Sequence, residues 1–381
     1  MNNSDLKNLI HKQKLNFSLD QEFYINQDIF DLDIKNIFSK QWVFVGHISR
    51  IPNHGDYFLF NIGKESIIIV CDNDNSVHAH YNVCRHRGSQ ICLENEGNSK
   101  VLICPYHAWT YNLDGSLRGA RLMEKDFNKN EWHLHKCNAK IFEGLIFVNL
   151  SDKPNDFEEF IAPTRKFIEF HGLSEAKIAH RQYYPTNGNW KLTLDNFHEC
   201  YHCQPSHPEY CQVHDKDYII AYGAGSNTGP TSEKFDNILS EWNSKAAKMG
   251  HLTGEYSETE FNDYSRSAER TPLKEGMFTE TKSGKPVSKL MGKFKDYDCG
   301  YTSVGTSPFN SLLMCNDFAT LFTFIPVSPL YTQVELMWLV HKDAEEGKDY
   351  NIEEMKWMWD VTTIADKRII EDNQKGVLSK K

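Results

Sequence analysis

From Trp42 onward the chain reads as short apolar bursts divided by turn formers. Trp42–Ile48, Asp56–Ile62, Glu65–Cys71 and Ala79–Cys84 are rich in β-branched and aromatic residues, and Gly, Asn, Asp and Pro separate them. The same texture runs through Val101–Tyr106, Trp109–Gly115 and Ile141–Leu150. It predicts a small all-β domain over residues 41–150, preceded by a helical lead-in over 1–40.

The pattern then changes. Residues 151–182 read as a linker and a helix. Tyr184 to Trp190 lead into a helical stretch, Lys191–Cys203, expected to stop before Pro205 because proline breaks a helix interior. Residues 225–300 are rich in Gly, Ser, Lys and Glu, without strong periodicity, and read as long loops around a pocket. Strands return at Ser311–Cys315, Ala319–Val327 and Thr332–Lys342. A last helix is expected over Ile352–Asn373, with Met355, Trp359, Ile364 and Ile369 apolar among charged neighbours. Residues 151–381 therefore read as a mixed α+β domain, an antiparallel sheet flanked by helices, and the whole chain as α+β.

Composition narrows the function. A chain of 381 residues, 40% hydrophobic and 13% aromatic, can bury two domain cores. Its formal charge of −10 argues against nucleic acid as a partner, since phosphate binding needs a basic footprint. Ten cysteines are too sparse for a disulfide scaffold. The opening MNNSDLKNLI lacks the apolar core of a signal peptide, and no apolar run is long enough to span a membrane. The default expectation is a cytoplasmic protein without a membrane partner, in a setting that keeps ligand thiols reduced.

Two donor sets stand out. The first is Cys84-x-His86 followed by Cys104-x-x-His107, placed in two loops of the β domain. Zinc would take all four donors tetrahedrally. A [2Fe–2S] cluster would place the thiolates on one iron and the imidazoles on the other. The residue types alone fit both. Cys92, Cys137 and Cys211 read as core thiols.

The second set is Glu199-x-x-His202-x-x-x-x-His207. A helix would put Glu199 and His202 on one face, and a break at Pro205 would let His207 turn back toward them. Two imidazoles and one carboxylate form a facial triad, which leaves positions on Fe(II) for dioxygen and substrate. Glu199 is one candidate for the carboxylate. The last helix offers others in Asp360, Asp366, Glu371 and Asp372, with Asp366 on the face of Trp359. Spacing does not choose among them.

The segments NVCRHRG, CPYHAWTYNLDG and DNFHECYHCQPSHPE resemble the α subunits of the Rieske non-haem iron oxygenases, over about Trp42 to Gly376. The resemblance implies a Rieske [2Fe–2S] cluster on Cys84, His86, Cys104 and His107, with Gly88 allowing close backbone approach and Tyr106 and Trp109 shielding it. It implies a mononuclear Fe(II) on His202, His207 and Asp366, with Asn196 as a pocket residue. Glu199, where the family usually has Asp, would then link the metals rather than bind iron. In the family's trimers this acid joins a cluster histidine of one subunit, matching His107, to an iron histidine of the next, matching His202. A homotrimer is implied. No GxGxxG signature is present, so electrons from NAD(P)H would arrive through a separate flavin and iron–sulfur reductase.

The expected substrate is a small molecule oxidised with O2. NWKLTLDNFHECYHC, WLVHKDAEEGKDYNIEEMKWMWDVTTIAD and IIEDNQKGV resemble the quaternary-amine branch of the family, and Glu at 199 points the same way. Hydroxylation of an N-methyl group, of glycine betaine first and of carnitine, choline or proline betaine as alternatives, would release formaldehyde. Phe197, Tyr201, Phe318, Phe322, Phe324, Tyr331 and Trp338 are available to face a cation, though sheet core is the plainer role for each. Hydroxylation of an aromatic ring and non-enzymatic electron transfer are the competing readings.

Overall fold

The structure, a computed structural model, describes residues 3–15, 17–73, 76–124, 126–219, 230–257 and 266–380. Parts of the loops expected between 225 and 300 lie outside the described residues. The chain divides into two compact units, residues 38–157 and residues 1–37 with 158–381.

The first unit is all β. Seven strands form one antiparallel sheet in the order β1 (Val43–His47), β10 (Leu145–Asn149), β9 (Lys136–Phe142), β4 (Val77–Tyr81), β3 (Glu65–Cys71), β2 (Asp56–Ile62) and β5 (Glu96–Asn98). Strands β6 (Leu102–Ile103), β7 (Thr110–Tyr111) and β8 (Leu117–Gly119) form a second, three-stranded sheet. Strand β3 is a continuous apolar run because it is central and its last five residues are all buried. The edge strand β5, Glu96–Asn98, is exposed throughout. Ile68, Val70, Leu102, Trp109, Tyr111 and Leu134 build a core that includes Cys84, Cys92 and Cys104.

The second unit is α+β. Its sheet runs β11 (Ala176–Thr186), β17 (Tyr331–His341), β16 (Phe318–Ser328), β15 (Asn310–Met314), β14 (Gly300–Gly305), β13 (Ser267–Pro272) and β12 (Gly254–Ser257). All neighbours are antiparallel. The chain starts at one edge with β11, makes helices, re-enters at the far edge with β12, and steps back strand by strand until β17 lies beside β11. Helices α1 (Asn3–His11), α2 (Glu22–Ile25) and α3 (Gln27–Asn36) precede the sheet, and α4 (Phe157–Ile161) and α5 (Arg165–His171) lead into it. Helices α6 (Trp190–Phe197), α7 (Cys203–Ser206), α8 (Pro208–Val213), α9 (Lys216–Tyr218) and α10 (Pro230–Lys248) lie in the long connection between β11 and β12, and α11 (Ile352–Val377) follows the last strand.

The N-terminal helices hold the elements that carry the site. Tyr24 packs with Leu192 of α6 and Ile370 of α11. Trp190 donates its indole N–H to Asp33, and Lys191 pairs with the same carboxylate. Asn189 caps α6 by accepting from Lys191 N–H at 2.9 Å, and its amide donates to the Tyr24 and Pro329 carbonyls.

Three local expectations are corrected. The helix of the His202 motif ends at Phe197, six residues earlier than expected; a turn follows, and Pro205 lies inside the short helix α7. Proline is tolerated there because first-turn N–H groups have no intrahelical acceptor. Residues 230–248 are a 19-residue helix rather than loop. Its signal was present: Phe235, Leu239, Trp242 and Ala246 recur at helical spacing, and Phe235, Trp242 and Ala246 are buried. The last helix runs four residues further, to Val377.

Candidate active site

The four donors of the first set sit in two loops built the same way. In each, the cysteine N–H donates to the carbonyl five residues on, Ser89 for Cys84 and Trp109 for Cys104, both at 2.8 Å. In each, the N–H four residues on returns to the cysteine carbonyl, from Gly88 at 2.9 Å and Ala108 at 3.0 Å. That turn requires a left-handed residue, and Gly88 and Ala108 have φ of +76° and +57°. The need for glycine at 88 is thus backbone conformation. Ala108 takes the same strained geometry in the companion loop, a conformation that costs a non-glycine residue about 1 kcal/mol or more.

Both cysteines are 2% exposed and belong to one apolar core, while the two imidazoles lie edge to face with centroids 4.7 Å apart. Two buried sulfurs beside a pair of neighbouring imidazoles is the donor distribution that a Rieske cluster needs. Trp109 is buried and stacks on His86 at 4.8 Å. Tyr106, expected as a shield, is 56% exposed and lies against His107 with ring centroids 3.8 Å apart. Sequence reasoning missed Tyr111. Its hydroxyl lies 3.3 Å from Cys84 Sγ and accepts the Arg85 N–H at 3.1 Å. Burial pushes the Cys84 thiol up, while the Tyr111 hydroxyl favours its thiolate.

The second set comes together from three places. His202 precedes α7, His207 joins α7 to α8, and Asp366 lies midway along α11, 159 residues after His207. Their donor atoms lie within 4.8 Å of one another. His202 Nε2 is 3.2 Å and His207 Nε2 2.8 Å from the same oxygen, Asp366 Oδ1. Each ring also has a carboxylate at its other nitrogen. His202 Nδ1 is 2.7 Å from Glu199 Oε1, and His207 Nδ1 is 3.3 Å from Glu209 Oε1. Thr362 of α11 fixes Glu209 with a 2.9 Å hydrogen bond. Glu199 therefore orients the His202 ring through a hydrogen bond, while Glu209 places a carboxylate beside the His207 ring without one. Glu209 was not foreseen, although it is only two residues from His207.

The convergent set is two imidazoles and one carboxylate, and it fits a mononuclear iron. Hydrogen bonding to Asp366, opposed by burial, raises His202; burial alone would raise Asp366, but the two histidines hold it below the usual carboxylate range. The competing acids are spoken for. Asp360 accepts from Tyr184 and Gln182, and Glu371 from Asn187 and Lys367. Glu199 accepts from His202 and from the Tyr201 N–H, on a turn rather than a helix face. Asn196 places its amide nitrogen 3.3 Å from His202 Nε2. Cys200 and Cys203 are joined by a disulfide that closes the turn holding His202, a local bridge and no scaffold.

A cavity of about 360 Å³ opens on the convergent donors. Phe197, Tyr210, Tyr218, Tyr301 and Trp359 line it, with Glu199, Glu269 and Asp366 as its acids. The three tyrosines were missed. Tyr201 is 83% exposed, while Phe318 and Trp338 are sheet core. Phe322 and Phe324 pack on Phe197 behind the cavity, and Tyr331 binds Gln333. On its other side, His202, Asn196 and Glu199 border a second hollow of about 550 Å³ that includes Ser18, Leu19 and Lys380.

Residues 41–137 match the Rieske [2Fe–2S] domain, and residues 173–381 match the ring-hydroxylating α subunit, catalytic domain. The chain is 34% identical, over 97% of its length, to the glycine betaine monooxygenase oxygenase subunit of Pseudomonas aeruginosa, 85% of which it covers. It belongs to the Rieske oxygenase α-subunit family. This α subunit is also 36% identical to the carnitine monooxygenase oxygenase subunit of Escherichia coli, over 51% of its own length and 53% of that protein. Its fold matches a quaternary ammonium Rieske monooxygenase (TM-score 0.70, 23% identity, 94% of this chain and 85% of that one). It also matches naphthalene 1,2-dioxygenase from Rhodococcus sp. (TM-score 0.69, 21% identity, 99% and 86%). The chain is thus an oxidoreductase α subunit with a Rieske [2Fe–2S] domain and a mononuclear iron site at His202, His207 and Asp366. Among the described residues, no helix is long and apolar enough to cross a membrane.

Proposed function

We propose that this α subunit hydroxylates an N-methyl group of a quaternary ammonium compound, glycine betaine first among them, and releases formaldehyde and the demethylated amine. The observation that carries this is the cavity at the iron donors. It combines five aromatic side chains with three acids, and among its described lining residues there is no Lys or Arg. Such a lining attracts a cationic nitrogen, which an aromatic acid lacks. The similarity to a glycine betaine monooxygenase subunit over nearly the whole chain supports the same choice.

Bound iron would supply O2 activation beside the substrate, and the cluster would supply an electron. The chain's own residues do the rest. Cys84, His86, Cys104 and His107 hold the cluster. His202, His207 and Asp366 hold the iron, Glu199 fixes the His202 ring, and Glu209 sets a negative charge beside His207. Asn196 sits against His202 and steers what approaches from the cavity. Glu199 is the link between metals: its side chain is 46% exposed beside the second hollow, so a further imidazole N–H from a neighbouring subunit has access to it. A homotrimer, a separate flavin and iron–sulfur NAD(P)H reductase and a cytoplasmic location complete the reading.

The test is a substrate panel with a matched reductase, scoring formaldehyde. Formaldehyde from glycine betaine or a related quaternary amine supports the reading. Hydroxylated benzoates, with no formaldehyde from betaines, would overturn it.

A further inference from the structure

Three features of the cavity wall point to one residue. Alternation along β13 puts Ser267 and Glu269 on the cavity face, and the register sets Glu269 opposite Ser303 and Ser267 opposite Gly305 of β14, all of which line the cavity. A hydrogen-bond chain ends on Glu269: Tyr301 donates its hydroxyl to Tyr218 Oη at 2.7 Å, and Tyr218 donates to Glu269 Oε1 at 2.9 Å. The two phenol rings stand nearly perpendicular, 83° apart with centroids at 6.3 Å, so they form a corner beside the carboxylate.

We propose that Glu269, with the Tyr218–Tyr301 corner, is the specificity determinant that selects a permanently cationic headgroup over a neutral one of the same shape. This inference rests on the quaternary-amine reading above and deepens it. Two electron-rich faces at a right angle and an anionic third side suit a trimethylammonium group, which can donate no conventional hydrogen bond and is recognised by charge and by π faces. Hydroxyls that donate toward Glu269 leave their oxygen lone pairs and rings more electron-rich, so the charge of one carboxylate reaches both walls. Of the cavity's three acids, Asp366 and Glu199 are occupied with the iron-site histidines, which leaves Glu269 for the ligand. No described lining residue neutralises it. Separately, burial raises the Glu269 carboxyl, with the Tyr218 hydroxyl and His214 opposing the rise.

The experiment compares glycine betaine with tert-butylacetate, its carbon isostere, in which only the nitrogen charge is missing. Affinities are measured by calorimetry on the anaerobic, iron-loaded protein, and KM and kcat for glycine betaine are measured beside them. The wild type should bind the cation more tightly than the isostere. Glu269→Gln keeps an acceptor for the Tyr218 hydroxyl and removes the charge. It should erode that preference by about tenfold or more, through KM with kcat little changed, whereas Glu269→Asp should retain most of it. An unchanged preference in folded, iron-loaded E269Q overturns the assignment. Equal affinity of the wild type for the two compounds overturns it as well, whatever the variant's folding. Formaldehyde production from betaine with an unchanged E269Q preference leaves the quaternary-amine reading standing. A wild type that binds no quaternary ammonium compound removes both.

Discussion

The two metal regions of this chain are built on opposite plans. The cluster loops are local. Each is a turn of six residues closed by its own backbone hydrogen bonds, and the two loops repeat one geometry around Gly88 and Ala108. The iron site is assembled from distance. His202 and His207 sit on a broken helix, and the carboxylate arrives from the middle of a 26-residue helix 159 residues later. A local site depends on turn chemistry and on the β frame beneath it. A distant site depends on whatever keeps α6, α7, α8 and α11 in place, here the Tyr24–Leu192–Ile370 contact, the Thr362–Glu209 hydrogen bond and the caps at Asn189 and Asn351.

If the two plans are independent, each site can be emptied without the other. Asp366→Ala should release the mononuclear iron and lower turnover by more than about 100-fold, since loss of even an outer partner of a ligand costs 10–100-fold. Its visible cluster spectrum should stay that of the wild type. Cys104→Ser should do the reverse, bleaching the cluster while iron at His202, His207 and Asp366 is retained. Metal analysis and absorption spectra on both variants check the pair. Loss of both metals in either variant would break the comparison.

The same contrast explains what could be read before the fold was known. Most strands of the first unit and its four donors were legible because apolar, β-branched bursts and short spacings are local properties, whereas β5, β8 and most of β9 carry no such burst. The last helix was legible from its apolar stripe. Choosing Asp366 over Asp360 or Glu371 was beyond spacing, and only resemblance to a family pointed to it. The structure gives the physical reason: Asp360 turns to Tyr184 and Glu371 to Asn187, on other faces of the same helix. Tyr210, Tyr218, Tyr301 and Glu269 were invisible because the cavity they line gathers residues from α8, α9, β13 and β14. Helix α10 was a different kind of miss, since the stripe Phe235, Leu239, Trp242 and Ala246 was there to be counted.

Glu199 is the link proposed between the two metals. Glu199→Gln should leave both metals bound and slow cluster re-oxidation by about 10–100-fold in single turnover, the cost of weakening one outer partner of a metal-bound imidazole. Wild-type electron transfer in this variant would remove Glu199 as the link. The smallest expected effect concerns stability. Burial pushes His80, which is 0% exposed in the first unit, down to about 4. Its folded value lies below the unfolded value of 6.5, so the unfolded state binds more protons between the two. Stability is then complete above pH 6.5 and falls as pH drops toward 4, by about 3 kcal/mol for this group. His171, pushed down by burial to about 3, acts with the same sign in the second unit. Unfolding followed by cluster absorbance and by far-UV signal across that window checks both, and rising stability on acidification would contradict the assignment.

On the proposed function, cluster and iron site serve one reaction on a quaternary amine. The direct measurement is single turnover of the reduced, iron-loaded protein with O2 and glycine betaine, following cluster absorbance and formaldehyde together. Formaldehyde should appear in step with cluster oxidation, and neither should proceed at the wild-type rate in the Asp366→Ala variant. Cluster oxidation at the same rate in that variant, or oxidation without formaldehyde in the wild type, would contradict it.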